Sequence, residues 1–321
     1  MRFPVEACER SRCGRRRVFL ALSLLWPAGS VSAGGQDPEY STKLLAERKA
    51  RDEEFRRREL SPLAGILIAA LDKESTVIGS SSEADLRLAG EGVADRHAEI
   101  VTEPGVRGAP AYRIRPLGGA ILTDTEPPKP VADMVLPMRT RVRIGRFVVS
   151  WNNLGTFGPV VRIQDFSSPA FTRFDGLRYF DPDPSYRVEA IVRPFPRPER
   201  STVLDTHGWQ RPAWKYGEAS FALGGRRLKL VLLVFTPEPK EGDTFFIPFS
   251  DETRGRETYP AARYLEAGFV RAGVIELDFN RATNPLCAYN TGFACPLPPR
   301  ENRLPVEIRA GEKLYPHAVG H

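Results

Sequence analysis

The sequence predicts a mainly β protein, in which a short N-terminal helix is followed by a β-sandwich and then by a second β-rich unit. Three observations predict this class. The 321 residues are 41% hydrophobic and 27% charged, which is typical of a globular chain. Glycine and proline are frequent, with 27 and 29 residues, and they separate short apolar runs. Those runs alternate in polarity, as half-buried strands do.

Residues 1–33 have the features of a signal peptide. Arg15–Arg17 precede the apolar stretch Val18–Trp26, and Val31–Ala33 supplies the small residues that a signal peptidase prefers. The stretch is shorter than the ~20 residues that a membrane-spanning helix needs, so we expect no stable membrane insertion after cleavage. Arg16–Leu20 is similar to the twin-arginine export pattern. We therefore expect an exported bacterial protein that is periplasmic or secreted, and the twin-arginine pathway is one of the export routes that its leader fits.

The positive charge of the chain lies mostly in this leader. The net charge is +6, and six arginines fall within residues 1–33, so the remainder is close to neutral. Proteins that bind nucleic acid need a basic surface to neutralise phosphates. The charge distribution therefore predicts no nucleic-acid partner.

Residues 34–62 predict a helix and a linker. Charged residues dominate Tyr40–Leu60, and the few apolar positions are consistent with a surface helix that buries a narrow stripe. Opposite charges recur four residues apart, which stabilises helices. These pairs are Glu47 with Arg51, Asp52 with Arg56, and Glu53 with Arg57. Ser61 and Pro62 end the helix, because a residue before proline avoids the helical conformation.

Residues 63–165 predict a β-sandwich of short strands at regular spacing. Four segments resemble a forkhead-associated domain over about residues 63–164: Val77–Ser80, Asp85–Leu88, Val93–Ile100 and Val142–Gly145. The resemblance implies the fold of that family. Its phosphothreonine pocket uses an arginine, a serine and an asparagine, whereas this chain has Ser80, Ala94 and Gly118–Gly119 at those places. Without the arginine there is no bidentate grip on a phosphate, so we interpret His97 as a structural, hydrogen-bonded histidine.

Residues 166–316 predict the second β-rich unit. Gly224 and Gly225 separate two alternating runs, Ser220–Leu223 and Arg226–Phe235, which indicates a hairpin because both turn positions can adopt positive φ. Phe221, Leu223, Leu228 and Leu230 would share one core face. Further strands are predicted at Tyr186–Val192, Thr244–Phe249, Val274–Phe279 and Val306–Ile308.

The carboxy-terminal third carries the most distinctive motifs. They include Leu277–Asn280, Asn284–Pro285, Cys287–Tyr289, Cys295–Pro299 and Glu301–Leu304. In order and spacing they resemble the bacterial family known as domain of unknown function 1684. The resemblance extends over about residues 61–313 and is strongest over 245–313. It implies no activity, because none is assigned to the family.

A polar side-chain cluster in this region is the predicted site. Asp278 and Asn280 lie two apart on a predicted strand and so share one face. Arg263, Tyr259, Glu301, Asn302 and Arg303 would complete a pocket wall if the loops fold over it. The alternative is that the carboxylate–arginine pairs are structural clamps.

Three functions remain open from these residues. The first is a non-enzymatic ligand-binding or interaction module, whose partner is a small molecule or a component of the cell envelope. The second is a carboxylate-dependent hydrolase of cell-envelope material. The third is a purely structural unit. His207 is the one histidine of the second unit placed to act as an acid or base, and no complete catalytic motif accompanies it.

Cys287 and Cys295 are the two cysteines that remain after cleavage of the leader. In an oxidising compartment such a pair predicts a disulfide. A buried pair of thiols, and a metal or nucleophile role, are the alternatives. The spacing does not match a zinc site and no His-x3-5-His accompanies it, so we expect no metal and no cofactor.

Overall fold

The computed structural model describes residues 38–57, 61–106, 109–153, 159–206, 208, 210–240, 243–268, 272–290 and 293–317, with the backbone alone at Arg211. The predicted signal peptide and the predicted acid–base residue His207 lie outside the described residues. The described part is mainly β with a helix near its start, as the sequence predicts.

The first element is α1, Pro38–Arg56. Its buried side chains follow one narrow stripe, with Tyr40, Leu44, Arg48 and Phe55 facing the rest of the protein. Only one predicted charge pair forms within the helix, between Arg56 Nε and Asp52 Oδ2 at 2.8 Å. Glu47 and Arg51 pair instead with residues of the carboxy-terminal unit, Arg281 and Glu312. The helix is therefore attached by its charges as well as by its apolar stripe.

The sandwich is built from two facing sheets. One sheet has the order β1-β11-β10-β9-β6-β7 and the other has the order β3-β2-β4-β5-β8. The strands are β1 Gly65–Ala70, β2 Ser75–Gly79, β3 Leu86–Arg87, β4 Ala98–Pro104, β5 Pro110–Pro116, β6 Ile121–Thr123, β7 Pro130–Val131, β8 Met134–Val135, β9 Val142–Ile144, β10 Phe147–Asn153 and β11 Pro159–Gln164. Alternate apolar residues such as Ile78, Ile100, Ile144 and Ile163 fill the core between the sheets.

His97 is a structural residue of this sandwich, as predicted. It is 1% exposed; its Nδ1 accepts from the Ala94 N–H at 3.1 Å, and its Nε2 lies 2.9 Å from the Ala120 carbonyl. A Cβ at Gly119 would come within 2.1 Å of the imidazole ring. Glycine is therefore required at position 119 for the chain to cross the ring so closely.

The second unit is one curled sheet with the order β16-β15-β14-β13-β12-β17. Its strands are β12 Arg187–Leu204, β13 Gln210–Leu223, β14 Arg226–Val234, β15 Thr244–Phe249, β16 Arg263–Gly268 and β17 Val274–Asp278. The edge strands β16 and β17 contact each other, so the sheet wraps around its apolar core. The predicted hairpin is confirmed: Gly224 and Gly225 have φ of 56° and 74°.

Two local predictions are wrong. Val306–Ile308 forms no strand, because side chains satisfy this backbone: the Ile308 N–H donates to Asp251 Oδ1 at 3.2 Å and its carbonyl accepts from Arg263. Asp278 and Asn280 do not share a strand face, because β17 ends at Asp278. The Asp278 carboxylate accepts from the Asn280 N–H at 3.1 Å and starts a 3-10 helix, Phe279–Arg281.

Candidate functional site

Asp278, the first predicted binding residue, is 5% exposed, and both of its carboxylate oxygens accept hydrogen bonds. Both of its carboxylate oxygens lie 2.9 Å from the Tyr40 hydroxyl, which donates from α1. Arg281 Nη1 donates to Oδ2 at 2.8 Å, and the backbone and side chain of Asn280 donate to Oδ1. These contacts make Asp278 a clamp between α1 and the end of β17.

Asn280 completes the same clamp. Its Oδ1 accepts from the Asp183 N–H at 3.0 Å, and its Nδ2 donates to the Asp183 carbonyl at 2.8 Å. Its own carbonyl accepts from Arg48 Nη2 at 3.1 Å. Asn280 is 1% exposed, so this side chain holds two backbone segments together and is not presented to solvent.

Arg263 lies elsewhere, at the start of β16, and is 1% exposed. Its Nη2 donates to Asp251 Oδ2 at 2.5 Å and to the Ile308 carbonyl at 2.9 Å, and its Nη1 donates to the Ala310 carbonyl at 2.5 Å. Burial lowers the pKa of Arg263, and the adjacent Asp251 opposes that effect. The guanidinium therefore fixes the irregular segment near Ile308 to the sheet.

The last three predicted residues follow one another but face different surroundings. Asn302 is buried and bridges three backbone groups, with Nδ2 bonds to the Val231 and Pro248 carbonyls and an Oδ1 bond from the Val231 N–H. Glu301 and Arg303 are exposed, and Glu301 pairs with Lys215 Nζ at 2.6 Å. The Glu301 carboxylate is thus matched with a different cation from the one at Asp278.

The predicted single polar wall is therefore corrected. Asp278 and Asn280 come together, but Arg263 belongs to a second cluster and Asn302 to a third. Each cluster is hydrogen-bonded to a different stretch of backbone. Tyr259 is 2% exposed, and its hydroxyl lies 3.9 Å from Cys287 Sγ.

The predicted disulfide is also corrected, because Cys287 and Cys295 are both thiols in the structure. The two are neighbours: the Cys287 N–H lies 3.2 Å from Cys295 Sγ. The hydrogen bond to Cys295 and burial raise the pKa of Cys287 well above its usual range. A protonated thiol is a poor nucleophile, so Cys287 is not set up for nucleophilic catalysis.

A cavity of about 450 Å³ lies where α1, β11 and the loop after β17 meet. We call it the junction cavity. Its lining residues are Arg51, Glu54, Phe55, Pro62, Arg162, Tyr264, Thr283, Asn284, Pro285, Leu286, Phe293, Ala294 and Cys295. None of the seven predicted binding residues is among them.

Two lining residues carry buried polar atoms with no hydrogen-bond partner among the described residues: Arg162 Nε and Asn284 Oδ1. Buried polar atoms in folded proteins are normally satisfied, so such atoms at a cavity wall indicate a place where a ligand or water can bind. Neither residue is among those predicted from the sequence. Asn284 falls within the distinctive Asn284–Pro285 motif, whereas Arg162 looks like an ordinary strand residue.

One wall of the junction cavity is held by a buried carboxylate, Glu312. Its oxygens accept from Arg51 Nε at 2.6 Å, from the Tyr289 hydroxyl at 2.6 Å and from the Asn284 N–H at 2.6 Å. Burial lowers the pKa of Arg51, but the adjacent Glu312 outweighs it and the pKa ends above its usual value. Arg51 and Glu312 therefore form a charged pair that fixes α1 against the loop at Asn284.

Within the described ranges, no three His, Cys, Asp or Glu side chains are grouped to hold a metal ion. No helix among those residues is long and apolar enough to cross a membrane. The chemistry that the lining of the junction cavity offers is hydrogen bonding, charged side chains and apolar contact.

A family of proteins shares the carboxy-terminal unit. The model of the family described as "Protein of unknown function (DUF1684)" matches residues 172–313 of this chain. The match begins well downstream of residue 61, where the resemblance was expected to start.

Solved structures with similarity to parts of the chain come from several sources. An uncharacterized protein of Haloarcula marismortui, studied by NMR, is 39% identical; the match covers 47% of this chain and 83% of that one, with a TM-score of 0.39. The Slr1951 protein of Synechocystis sp. is 19% identical over 31% and 95% of the two chains, with a TM-score of 0.23. The forkhead-associated domain of FhaA, crystallised with the intracellular domain of Rv3910, is 19% identical over 30% and 86%, with a TM-score of 0.22. The comparison with curated proteins gives no match.

Proposed function

We propose that the protein is an exported, non-enzymatic module that binds a small molecule in the junction cavity. The observation that carries this proposal is the cavity itself: about 450 Å³ of space, two of whose lining residues each carry a buried polar atom that has no partner among the described residues. Ligand pockets typically combine such a volume with an apolar lining and a few polar groups that fix orientation.

A binding role has more support than catalysis. The carboxylates of Asp278 and Glu301 are each matched with a different cation, and the Cys287 thiol is held protonated. A carboxylate-dependent hydrolase would need two carboxyl groups flanking one substrate bond. The hydrolase of cell-envelope material, the alternative from the sequence, thus has little support from these contacts.

Export is supported by the leader sequence. Twin-arginine export carries proteins that have already folded, and a chain that folds in the reducing cytoplasm keeps its thiols. The buried thiols of Cys287 and Cys295 are consistent with that order of events. The ligand would then be a small molecule of the cell envelope or of the surrounding medium.

The ligand site is tested by filling it. Ala294→Trp places a large side chain in the wall, and Leu45→Trp, at a position of α1 that is 53% exposed, is the matched control. We expect saturation-transfer NMR with a fragment library to detect binders for the native protein and for Leu45→Trp, and to lose them with Ala294→Trp. Binders that survive Ala294→Trp, or no binders at all, would contradict the proposal.

A further inference from the structure

Arg162 gives the junction cavity a half-buried positive charge. This residue lies in β11, and its one side-chain hydrogen bond within the described chain runs from Nη2 to the Ser61 carbonyl at 2.9 Å. Its Nε is buried without a partner, and no carboxylate of the described residues forms an ion pair with it. Burial lowers the pKa of Arg162, and the nearby Arg141 lowers it further, yet an arginine remains charged at neutral pH.

The other charged lining residues are Arg51 and Glu54, and neither leaves a buried charge without a partner. Arg51 is paired with Glu312 at 2.6 Å, so that pair is neutral as a unit. Glu54 is exposed, and water can solvate its carboxylate. Arg162 is therefore the lining charge that has neither an ion-pair partner among the described residues nor full exposure to water, and one negative charge on a ligand would match it. A planar carboxylate fits the guanidinium edge through two parallel hydrogen bonds.

Asn284 adds a second, independent requirement. It is 2% exposed, and its Nδ2 donates to the Lys313 carbonyl at 2.8 Å, which fixes the orientation of the amide. The opposite atom, Oδ1, is buried and accepts no hydrogen bond from the described residues, and Asn284 is one of the residues that line the cavity. A carbonyl-type oxygen accepts hydrogen bonds and does not donate them, so the matching ligand group is an O–H or N–H donor.

Most of the remaining wall is apolar. Phe55, Pro62, Pro285, Leu286 and Phe293 contribute carbon surface to the lining. Apolar groups on a ligand would therefore be removed from water when they enter the cavity, which favours binding by roughly 25 cal/mol per Å² of buried surface.

We infer that the junction cavity recognises a small monocarboxylate that has an apolar body and an O–H or N–H donor. The carboxylate binds the Arg162 guanidinium, the donor bonds to Asn284 Oδ1, and the apolar body lies against Phe55 and Phe293. This inference rests on the proposed ligand-binding function and adds the chemical class of the ligand to it.

Three matched probes test the inference with the full chain. 3-Phenyllactate carries the carboxylate, a hydroxyl donor and an aromatic body; 3-phenyllactamide lacks the charge; 3-phenylpropionate lacks the donor. We expect 3-phenyllactate to bind most tightly in titrations followed by NMR or calorimetry. Loss of the charge or of the donor should each weaken binding severalfold, since each leaves one buried polar atom unsatisfied.

Substitutions at the arginine supply the complementary arm. Arg162→Gln should weaken 3-phenyllactate binding by about tenfold or more and leave 3-phenyllactamide binding almost unchanged. Arg162→Lys keeps the charge but not the planar guanidinium, so its affinity for 3-phenyllactate should lie between that of Arg162→Gln and that of the native protein. Arg193→Gln, at an exposed position of β12, is the control for removing an arginine charge elsewhere. Thermal unfolding of each variant checks that it folds.

The outcomes separate the inference from the proposed function. Equal binding of the acid and its amide, no binding of any probe, or a loss caused equally by Arg193→Gln would overturn the inference. If the fragment library still gives binders that Ala294→Trp removes, the cavity remains a ligand site with a different specificity. If neither probes nor fragments depend on the cavity, both proposals fail.

Discussion

Buried arginines make many of the long-range connections around the carboxy-terminal unit. Arg263 joins Asp251 to two backbone carbonyls, and Arg48 joins α1 to the Phe180 and Asn280 carbonyls. An arginine suits this work because its planar fork reaches several acceptors at once. The sequence marks Arg263 as important, but it does not reveal the partners, since Asp251 and Ile308 are brought to it by folding.

Removal of Arg263 is expected to be strongly destabilising. Arg263→Ala leaves the Asp251 carboxylate buried without its cation, and breaking such a pair costs about 3–5 kcal/mol of the free energy of unfolding. Chemical denaturation measures the change. Arg303→Ala, which removes an exposed arginine, should change that free energy by no more than about 0.5 kcal/mol. Similar small effects for both variants would show that Arg263 is not a clamp.

At the scale of secondary structure, α1 shows what a polar docking face looks like. Its contacts combine the apolar stripe with Tyr40 on Asp278, Glu47 on Arg281 and Arg51 on Glu312. The sequence predicts the helix because charge spacing and the proline boundary are local signals. It does not predict where the helix packs, since its partners follow between 234 and 261 residues later.

The Tyr40 hydroxyl is the simplest part of this docking face to remove. Tyr40→Phe keeps the ring and deletes the donor to Asp278, so the free energy of unfolding should fall by about 2 kcal/mol, the usual range for a hydrogen bond to a charged group. Limited proteolysis within α1 should become faster. Leu45→Ala, at an exposed position of the same helix, should change neither quantity appreciably. An unchanged cleavage rate in Tyr40→Phe would argue against the clamp.

Strand predictions succeeded where the backbone pairs with a neighbouring strand and failed where side chains replace that pairing. The glycine hairpin between β13 and β14 is encoded locally, by two residues that tolerate positive φ. Val306–Ile308 has a strand-like composition, yet Arg263 and Asp251 satisfy its backbone. Asp278 likewise ends β17 by bonding to a backbone N–H two residues on.

For the molecule as a whole, the order of folding and export decides the state of the cysteines. Export after folding predicts that Cys287 and Cys295, which are 0% and 6% exposed, are recovered from the periplasmic fraction as thiols. An alkylating reagent should leave the native protein unlabelled and add two groups after denaturation, as read by intact mass. A protein that takes no label even when denatured would contain a disulfide. A protein found in neither the periplasm nor the medium would contradict export.

The junction cavity could not be predicted from the sequence, for a reason that belongs to the whole molecule. Its walls come from α1, from β11 and from the loop after β17, which lie more than a hundred residues apart along the chain. Side chains with ordinary surface roles in their own segments, such as Arg162, acquire a shared environment only when all three stretches pack.

The ring of Phe55 lies 5.7 Å from that of Phe174 and 4.8 Å from that of Tyr289. A fragment limited to residues 172–313 would therefore lose the Phe55 ring and its contacts with Phe174 and Tyr289. It would also lose Arg51, so the buried Glu312 carboxylate would have no ion-pair partner from α1. Expression trials that begin at residue 172 should yield insoluble material, whereas a product beginning ahead of Pro38 retains the whole scaffold.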